Sequence, residues 1–208
     1  YSPAPVMNAR MRERVMRQIV APTLKGMAAM GAPLKGVLFA GLMMCPDGPR
    51  LIEYNVRFGD PEAQAMLPRL DEDLLALLLA CVEERLPERP ARLSAKTALS
   101  VVLAAKGYPG APVRGSEIHG VERAGAMPFV SVTHAGTKRE GLKLVADGGR
   151  VLTVTGVGAD VAEARARAYA AIDVIDWPGG FYRRDIGWRA LTRDPAELDR
   201  SAPGSTGF

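Results

Sequence analysis

Cysteine and histidine are scarce in this chain, and each scarcity excludes a class of site. Cys45 and Cys81 are the only cysteines among 208 residues, and they form no C-x-x-C pair. We therefore expect neither a disulfide framework nor a structural zinc site. We expect instead that both cysteines are reduced thiols in a cytosolic protein. His119 and His134 are the only histidines, and a glycine follows each closely. This setting favours hydrogen bonds within loops over a catalytic base.

Long apolar runs and a leader sequence are also missing. No apolar segment approaches the roughly 20 residues that span a bilayer, and no basic segment precedes an apolar stretch at the N-terminus, as a secretory signal would require. We therefore expect a cytoplasmic protein with no membrane partner. The chain begins with Tyr1 rather than Met, so we interpret it as the C-terminal part of a longer protein. Hydrophobic residues make up 48% of the chain, which is enough for an ordered core.

The net charge of +4 and the pI of about 9.3 admit two kinds of partner. A nucleic-acid surface would need basic residues interleaved with aromatic ones, but the lysines and arginines are scattered and only five Tyr and five Phe are present. Phosphorylated metabolites explain the same balance of charge. We therefore expect small-molecule substrates and no nucleic acid.

The first half of the chain predicts a helix, a hairpin and a second helix. Met11, Val15 and Ile19 recur at a spacing of four within 8–30, and Pro22 should kink or divide that helix. Two apolar runs, 36–44 and 49–56, flank Asp47-Gly48, which predicts an antiparallel hairpin. Alternation along its second strand would place Leu51, Glu53 and Asn55 on one face, and Ile52 and Tyr54 on the other. A Leu- and Ala-rich helix is expected over 62–85.

The second half predicts a small α+β domain after a Pro- and charge-rich linker at 86–95. We expect strands at 98–107 and 129–138, a hairpin within 142–158 that turns at 147–149, and a helix at 161–175. Arg183, Arg184 and Asp185 could form an ion-pair cluster, and Ile186 and Trp188 are expected in the core. The predicted division is 1–90, 91–192 and a disordered tail at 193–208.

The stretch EYNVRFGDPE at 53–62 concentrates polar groups in a way that a simple core strand does not need. Glu53 and Asn55 offer a carboxylate and an amide oxygen about 7 Å apart along a strand. Mg²⁺ prefers such oxygen ligands and takes its remaining ones from phosphates and water. Arg57 supplies a planar fork for an anion, and Gly59 allows close backbone approach. Asp60 and Glu62 could orient an amine.

Each of these residues has a simpler interpretation. Glu-x-Asn occurs on strands by chance, and Arg57 could be an ordinary surface charge. Asp60, Pro61 and Glu62 also read as a helix start, with Asp60 as the N-cap and Glu62 near the positive end of the helix dipole. From the residues alone, a nucleotide and metal site is one possibility among these.

The stretch EYNVRFGDPE closely resembles the signature of the phosphoribosylamine–glycine ligase family, E-x-N-x-R-x-G-D-P-E. Other segments agree in order along almost the whole chain, from Tyr1 to about Leu191. They are YSPAP, IVAPTLKGMAAMG and GVLFAGLMM before the signature, and VVLAAKGYPG, EIHG, HAGTK, DGGRVLTVTGVG and YRRDIGWRAL after it. The resemblance implies the C-terminal lobe of an ATP-grasp domain followed by a small α+β domain.

The resemblance also implies an activity, namely ligation of glycine to 5-phosphoribosylamine with ATP. Glycyl phosphate would be the intermediate, and glycinamide ribonucleotide, ADP and phosphate the products. Glu53 and Asn55 match the family's Mg²⁺ or Mn²⁺ ligands. Arg57, Gly59 and Asp60 fall in the loop that lines the phosphate and substrate site. Met43 or Leu42, on the preceding strand, would pack on the adenine.

The same resemblance implies further features of the protein. The N-terminal domain and the lid that clamps ATP would precede YSPAP, so this chain alone should be inactive and should need that half as a partner. A monomer or weak dimer is expected. His134-Ala-Gly-Thr137 could present backbone N–H groups to a phosphate. Another ATP-grasp carboxylate–amine ligase, a nucleic-acid-binding module and a non-catalytic interaction domain are the rival interpretations.

Overall fold

A computed structural model describes residues 1–192, so the predicted tail at 193–208 lies outside the described residues. The chain divides into two compact units. The hairpin unit comprises Ala4–Gly59 and Leu70–Leu93, and the sheet unit comprises Tyr1–Pro3, Asp60–Arg69 and Ser94–Leu191. Within the described part of the chain, no helix has the length and apolar character needed to cross a membrane.

The hairpin unit begins with the helix predicted over 8–30. It comprises α1 (Ala9–Val15), a π-helical turn (Met16–Val20) and α2 (Ala21–Ala29). The Asn8 side chain caps α1 by accepting the Met11 N–H at 2.8 Å. Pro22 has no N–H to donate, and the turn before it is π-helical, with the Ala21 N–H bonded to the Met16 carbonyl.

The predicted hairpin is present in the same unit. Strands β1 (Phe39–Cys45) and β2 (Gly48–Asn55) pair antiparallel, and Pro46 and Asp47 form the turn. Gly48 has a φ of 131°, and a Cβ there would lie 2.3 Å from Cζ of Arg14. The Arg14 guanidinium reaches this turn and donates to the Asp47 carbonyl at 2.5 Å. The turn is therefore tied to α1 and closely packed.

The single helix predicted over 62–85 is wrong. The structure has α3 (Glu62–Met66), a 3₁₀ turn (Leu67–Arg69) and α4 (Leu74–Val82). Pro68 supplies no N–H to continue the first helix. The Asp73 side chain accepts the Ala76 N–H at 2.9 Å and so starts a new helix. This local capping bond outweighs the Leu- and Ala-rich composition of the segment.

The sheet unit has the predicted α+β composition. Its antiparallel four-stranded sheet has the order β4-β7-β3-β8, and β5 pairs separately with β6. The elements are β3 (Thr97–Ala105), α5 (Val121–Gly125), β4 (Val130–His134), β5 (Thr137–Glu140), β6 (Lys143–Ala146), β7 (Arg150–Gly158), α6 (Val161–Ile172), β8 (Gly180–Phe181) and α7 (Trp188–Thr192).

The prediction of a hairpin within 142–158 is wrong, because the two strands exist but do not pair with each other. β6 pairs with β5, whereas β7 pairs with β3 on one side and β4 on the other. β7 is buried along almost its whole length. A central strand in this position needs backbone partners on both edges, and β3 and β4 are the strands that supply them.

The core of the sheet unit lies where α6 packs on β3 and β7. A Cβ at Gly156 would lie 2.3 Å from the Ala164 carbonyl oxygen, so the bare backbone of β7 lets α6 approach closely. Ile186 packs against this core as predicted. Trp188 does not, because it is 47% exposed, and the buried tryptophan is Trp177.

Candidate active site

Glu53 and Asn55 come together at the end of β2. The Asn55 side-chain Nδ2 donates to Oε1 of Glu53 at 3.1 Å. The two side chains therefore meet, although their positions along the strand are about 7 Å apart. The hydrogen bond leaves Oε2 of Glu53 and Oδ1 of Asn55 as unshared oxygen donors on neighbouring groups. Glu53 is exposed and Asn55 is half-buried, so a ligand can reach them.

Gly41 makes room for the Glu53 side chain. The two residues are paired across the hairpin, and a Cβ at Gly41 would lie 3.3 Å from Cγ of Glu53. Such a contact is tight, so a larger residue would push the carboxylate aside. Sequence reasoning did not single out Gly41, although a glycine inside a strand is a recognised sign of close approach.

A β-bulge decides which side chains share a face with Glu53. Gly41 pairs with Glu53 and the next residue of β1, Leu42, pairs with Leu51, which leaves Ile52 as the extra residue. Directly opposed residues share a face, and neighbours on β1 alternate between faces. Leu51 therefore lies on the face opposite to Glu53. The prediction that Leu51 shares a face with Glu53 and Asn55 is wrong.

The same register separates the two candidates for adenine packing. Met43 lies two residues from Gly41 on β1, so it shares the face of Glu53, and it is 55% exposed. Leu42 lies on the other face with Leu51 and is half-buried.

The opposite face of the hairpin packs on the helical segment. The Tyr54 hydroxyl bonds to the Thr23 hydroxyl and donates to the Ile19 carbonyl at 3.4 Å. Tyr54 alternates with Glu53 and Asn55 along β2, so these two polar residues point away from that helical segment. Packing on one face thus leaves the polar face open for a ligand.

Arg57 and Gly59 follow the strand in the same unit. The exposed Arg57 side chain folds back so that Nη1 donates to the Phe58 carbonyl at 2.8 Å. One guanidinium has five N–H donors, so this bond leaves most of them for an anion. Gly59 is buried.

Asp60 belongs to the sheet unit and is held within it. Its Oδ1 accepts from Gln64 Nε2 at 2.8 Å and its Oδ2 accepts from Arg150 Nη2 at 3.0 Å. The alternative in which Asp60 caps the next helix is wrong, because Pro61 is the N-cap of α3 and no side chain bonds there. Sequence reasoning missed Arg150, which lies 90 residues from Asp60 along the chain. No local pattern could have revealed this pair.

The donors at Glu53 and Asn55 fit a hard divalent cation. Residues 1–192 contain no cluster of three or more His, Cys, Asp or Glu side chains arranged to hold a metal. A pair formed by one carboxylate and one amide instead matches the coordination preference of Mg²⁺. This ion usually takes one or two protein ligands and completes its coordination shell with phosphate and water.

The histidines take part in local contacts. His134 Nδ1 lies 3.0 Å from the Thr137 hydroxyl, which confirms the predicted loop hydrogen bond. His119 Nε2 lies 3.6 Å from Glu117, whose pKa is held below its usual range by the hydrogen bond from Lys143 at 2.8 Å.

The sequence predicted that the backbone N–H groups of 134–137 could bind a phosphate, but those of 135 and 136 are already engaged within the protein. They donate to the carbonyl oxygens of Val151 and Arg150 in β7 at 3.0 and 2.9 Å. These bonds continue the pairing between the end of β4 and β7.

The predicted cluster of Arg183, Arg184 and Asp185 is present as ion pairs. Arg183 pairs with Asp185, and Arg184 pairs with Asp173.

Two family models match this chain. The model described as "Phosphoribosylglycinamide synthetase, ATP-grasp (A) domain" matches residues 1–63, and "Phosphoribosylglycinamide synthetase, C domain" matches residues 98–189. A phosphoribosylamine–glycine ligase of Mesorhizobium japonicum is 58% identical over 196 residues, which are 94% of this chain and 46% of the relative. The chain thus spans about half the length of the curated relatives it matches.

Solved structures agree in fold. The crystal structure of phosphoribosylamine–glycine ligase from Thermotoga maritima superposes with a TM-score of 0.73 at 34% identity, covering 84% of this chain and 42% of that one. A biotin carboxylase domain from Hydrogenobacter thermophilus 2-oxoglutarate carboxylase, solved with MgADP, gives a TM-score of 0.64 at 13% identity. It covers 96% of this chain and 45% of that one, and at this identity it shows the fold alone.

The fold, the polar face of the hairpin and these matches define the class as ATP-grasp. Within that class, the two domain models match successive parts of the chain and together span its signature and its C-terminal sheet. The chain belongs to the phosphoribosylglycinamide synthetase family.

Proposed function

We propose that this chain is the metal-binding half of an ATP-dependent ligase that joins glycine to 5-phosphoribosylamine in purine biosynthesis. The observation that carries the proposal is the joined donor pair of Glu53 and Asn55 on the open face of the hairpin. The named activity of relatives at 58% and 53% identity supports it. The products are glycinamide ribonucleotide, ADP and phosphate.

Glu53 and Asn55 are the residues that would hold Mg²⁺ or Mn²⁺, through Oε2 and Oδ1. A bound ion would offset the negative charge that develops on the phosphate groups during phosphoryl transfer. Met43 packs on the adenine in this proposal and Leu42 does not, because Met43 shares the face of Glu53.

In this proposal, the loop after β2 binds the substrates during the two steps of the reaction. The glycine carboxylate attacks the γ-phosphorus of ATP and ADP leaves, which gives glycyl phosphate. The amine of phosphoribosylamine then attacks the acyl carbon, phosphate leaves, and a proton is released as the amide forms. Arg57 binds phosphate oxygens through its remaining N–H donors, Gly59 lets the backbone approach, and the Asp60 carboxylate holds the ammonium group of glycine.

We further propose that this 208-residue chain does not catalyse the ligation on its own. Transfer to a carboxylate needs ATP held in line and water excluded, which the missing half of the family enzyme would supply. The protein would act in the cytoplasm as a monomer or weak dimer. Its partners would be its small-molecule substrates and that other half.

The test is ligase activity of the protein at its full natural length, measured as ADP release with glycine, phosphoribosylamine and Mg·ATP. ADP should appear only when both co-substrates are present. Glu53→Gln and Asn55→Ala should lower kcat by about 10²- to 10⁴-fold, because the ion loses a protein ligand.

The matched control is Glu13→Gln, which changes an exposed glutamate on α1 and should leave the rate unchanged. Near-normal activity in both site variants would place the metal elsewhere. Turnover with another amine, and none with phosphoribosylamine, would overturn the proposed substrate.

A further inference from the structure

One guanidinium fixes both the backbone and the side chain of Asp60. Arg150 Nη1 donates to the Asp60 carbonyl at 2.6 Å, and Nη2 donates to Oδ2 at 3.0 Å. Gln64 Nε2 holds the other carboxylate oxygen at 2.8 Å. With its carbonyl and both carboxylate oxygens engaged, Asp60 has little freedom to change rotamer.

Arg150 is itself held in a crowded backbone. It is the first residue of β7, and the preceding Gly149 lies under the ring of Tyr108, where a Cβ would come within 2.5 Å of Cδ2. Gly148 and Gly136 approach so closely that a Cβ on Gly148 would lie 2.8 Å from the Gly136 Cα. A guanidinium anchored at such a point can hold a residue that it contacts in one position.

Arg150 places a positive charge directly beside the Asp60 carboxylate. α3, which follows Asp60, packs on β3 and β7. β3 carries no charged side chain and β7 carries Arg150 alone. The charged residue on α3 is Glu62, and Arg69 follows in the 3₁₀ turn, where it donates to Ser2, Ser94 and Lys96.

We propose that Arg150 is a positioning residue for the amino-acid substrate. It holds Asp60 so that the free lone pairs of the carboxylate point at the ammonium group of glycine. An ionised carboxylate has about four lone-pair sites, and Arg150 and Gln64 take one on each oxygen, which leaves capacity for an ammonium donor. This inference rests on the proposed function and assigns to it a residue outside the signature.

The experiment measures KM for glycine and for ATP in the full-length protein carrying Arg150→Gln, Asp60→Asn or both. Each single change should raise the glycine KM by about 10- to 100-fold, since the ammonium group loses its oriented partner. The ATP KM should stay within about twofold. The double variant should be no worse than Asp60→Asn, because Arg150 acts through Asp60.

Two further variants keep the result interpretable. Arg150→Lys retains the charge but cannot bridge the carbonyl and the carboxylate together, so its glycine KM should lie between those of wild type and Arg150→Gln. Arg114→Gln removes an arginine of the same unit that pairs with Asp147 at 3.3 Å, and it should leave both constants unchanged.

Equal changes in both KM values, or effects of the two single changes that multiply in the double variant, would overturn the positioning role. A variant that fails to fold is replaced by Arg150→Lys, for which an unchanged glycine KM would count against the proposal. Failure of the proposed function is a separate result, because the wild-type protein itself would then release no ADP with glycine and phosphoribosylamine.

Discussion

Two residues of the hairpin, Gly41 and Tyr54, determine how the Glu53 side chain is presented. Gly41 has no side chain, so the Glu53 carboxylate can lie against β1 and meet Asn55. Tyr54, by contrast, anchors the other face to the helical segment through its hydroxyl. The proposed metal site thus depends on two residues, Gly41 and Tyr54, that would not themselves be metal ligands.

Gly41→Ala should weaken cation binding without unfolding the protein. The new Cβ would lie 3.3 Å from Cγ of Glu53, so the carboxylate must shift by a few tenths of an ångström. We expect Mn²⁺ affinity, measured by electron paramagnetic resonance on the 208-residue chain, to fall by about 10-fold, as when support of a metal ligand is lost.

Gly26→Ala is the matched control for that change. Gly26 lies in α2 with no atom within 4 Å of the added Cβ, so Mn²⁺ binding should be unaffected. The helix should gain about 0.5–1 kcal/mol of stability. If Gly41→Ala bound Mn²⁺ as well as wild type, the close approach of Gly41 to Glu53 would have no bearing on the site.

At the scale of elements, single local features redirect whole segments. The extra residue Ile52 rotates the first part of β2 so that Leu51 leaves the face of Glu53. Pro68 and the Asp73 cap divide a Leu- and Ala-rich stretch into α3 and α4. In the helical stretch, the missing N–H of Pro68 and the capping bond of Asp73 outweigh the helical preference of the surrounding residues.

The segment before α4 is tied to residues 89–92 by Glu72. Arg89 donates to both of its carboxylate oxygens, at 3.0 and 2.6 Å, and the Arg92 N–H donates to it as well. The Arg89 hydrogen bonds, and then the Arg92 N–H, lower the pKa of Glu72 from 4.5 to about 2. This carboxylate therefore stays ionised in the folded protein well below the pH at which an unfolded glutamate takes up a proton.

Glu72→Gln should therefore destabilise the protein in a pH-dependent way. Because the folded pKa is depressed, the contribution is complete above about pH 4.5 and is lost as the pH falls through about 2. Urea unfolding at pH 7 should show wild type to be more stable than the variant, and the difference should shrink at about pH 3. A difference that stayed constant over this range, or an equal one for the exposed Glu13→Gln, would contradict this role.

At the scale of the whole molecule, buried apolar surface is divided unequally between the two units. Among the described residues, Val15 is the one buried hydrophobic residue of the hairpin unit, whereas the sheet unit has a continuous core around β3, β7 and α6. Several large apolar residues of the hairpin unit are exposed, including Leu75 at 74% and Val82 at 73%. The two units should therefore differ in local stability.

Amide hydrogen exchange should reveal that difference. Regions with few buried apolar contacts open at a lower free-energy cost. Mass spectrometry of the 208-residue chain should find the slowest exchange in β3, β7 and α6, and exchange at least about 10-fold faster in β2 and α4. Equal protection in α4 and β7 would show that the hairpin unit is as stable as the sheet unit.

Much of this architecture could be predicted from the sequence because its causes are local. The helix that begins at Asn8, the hairpin around Asp47 and the helix at 161–175 follow from periodicity, capping and turn chemistry within a few residues. The signature at 53–62 also placed the donor pair of Glu53 and Asn55 on one strand face, as observed.

Tertiary structure alone decided the rest, because those features depend on partners far apart in the chain. Pairing of β7 with β3 and β4, rather than with β6, results from competition among strands for the same backbone groups. The bulge that sets Met43 on the face of Glu53 is a property of two strands in register. Arg150 reaches Asp60 across 90 residues because the fold brings the start of β7 to the end of the signature.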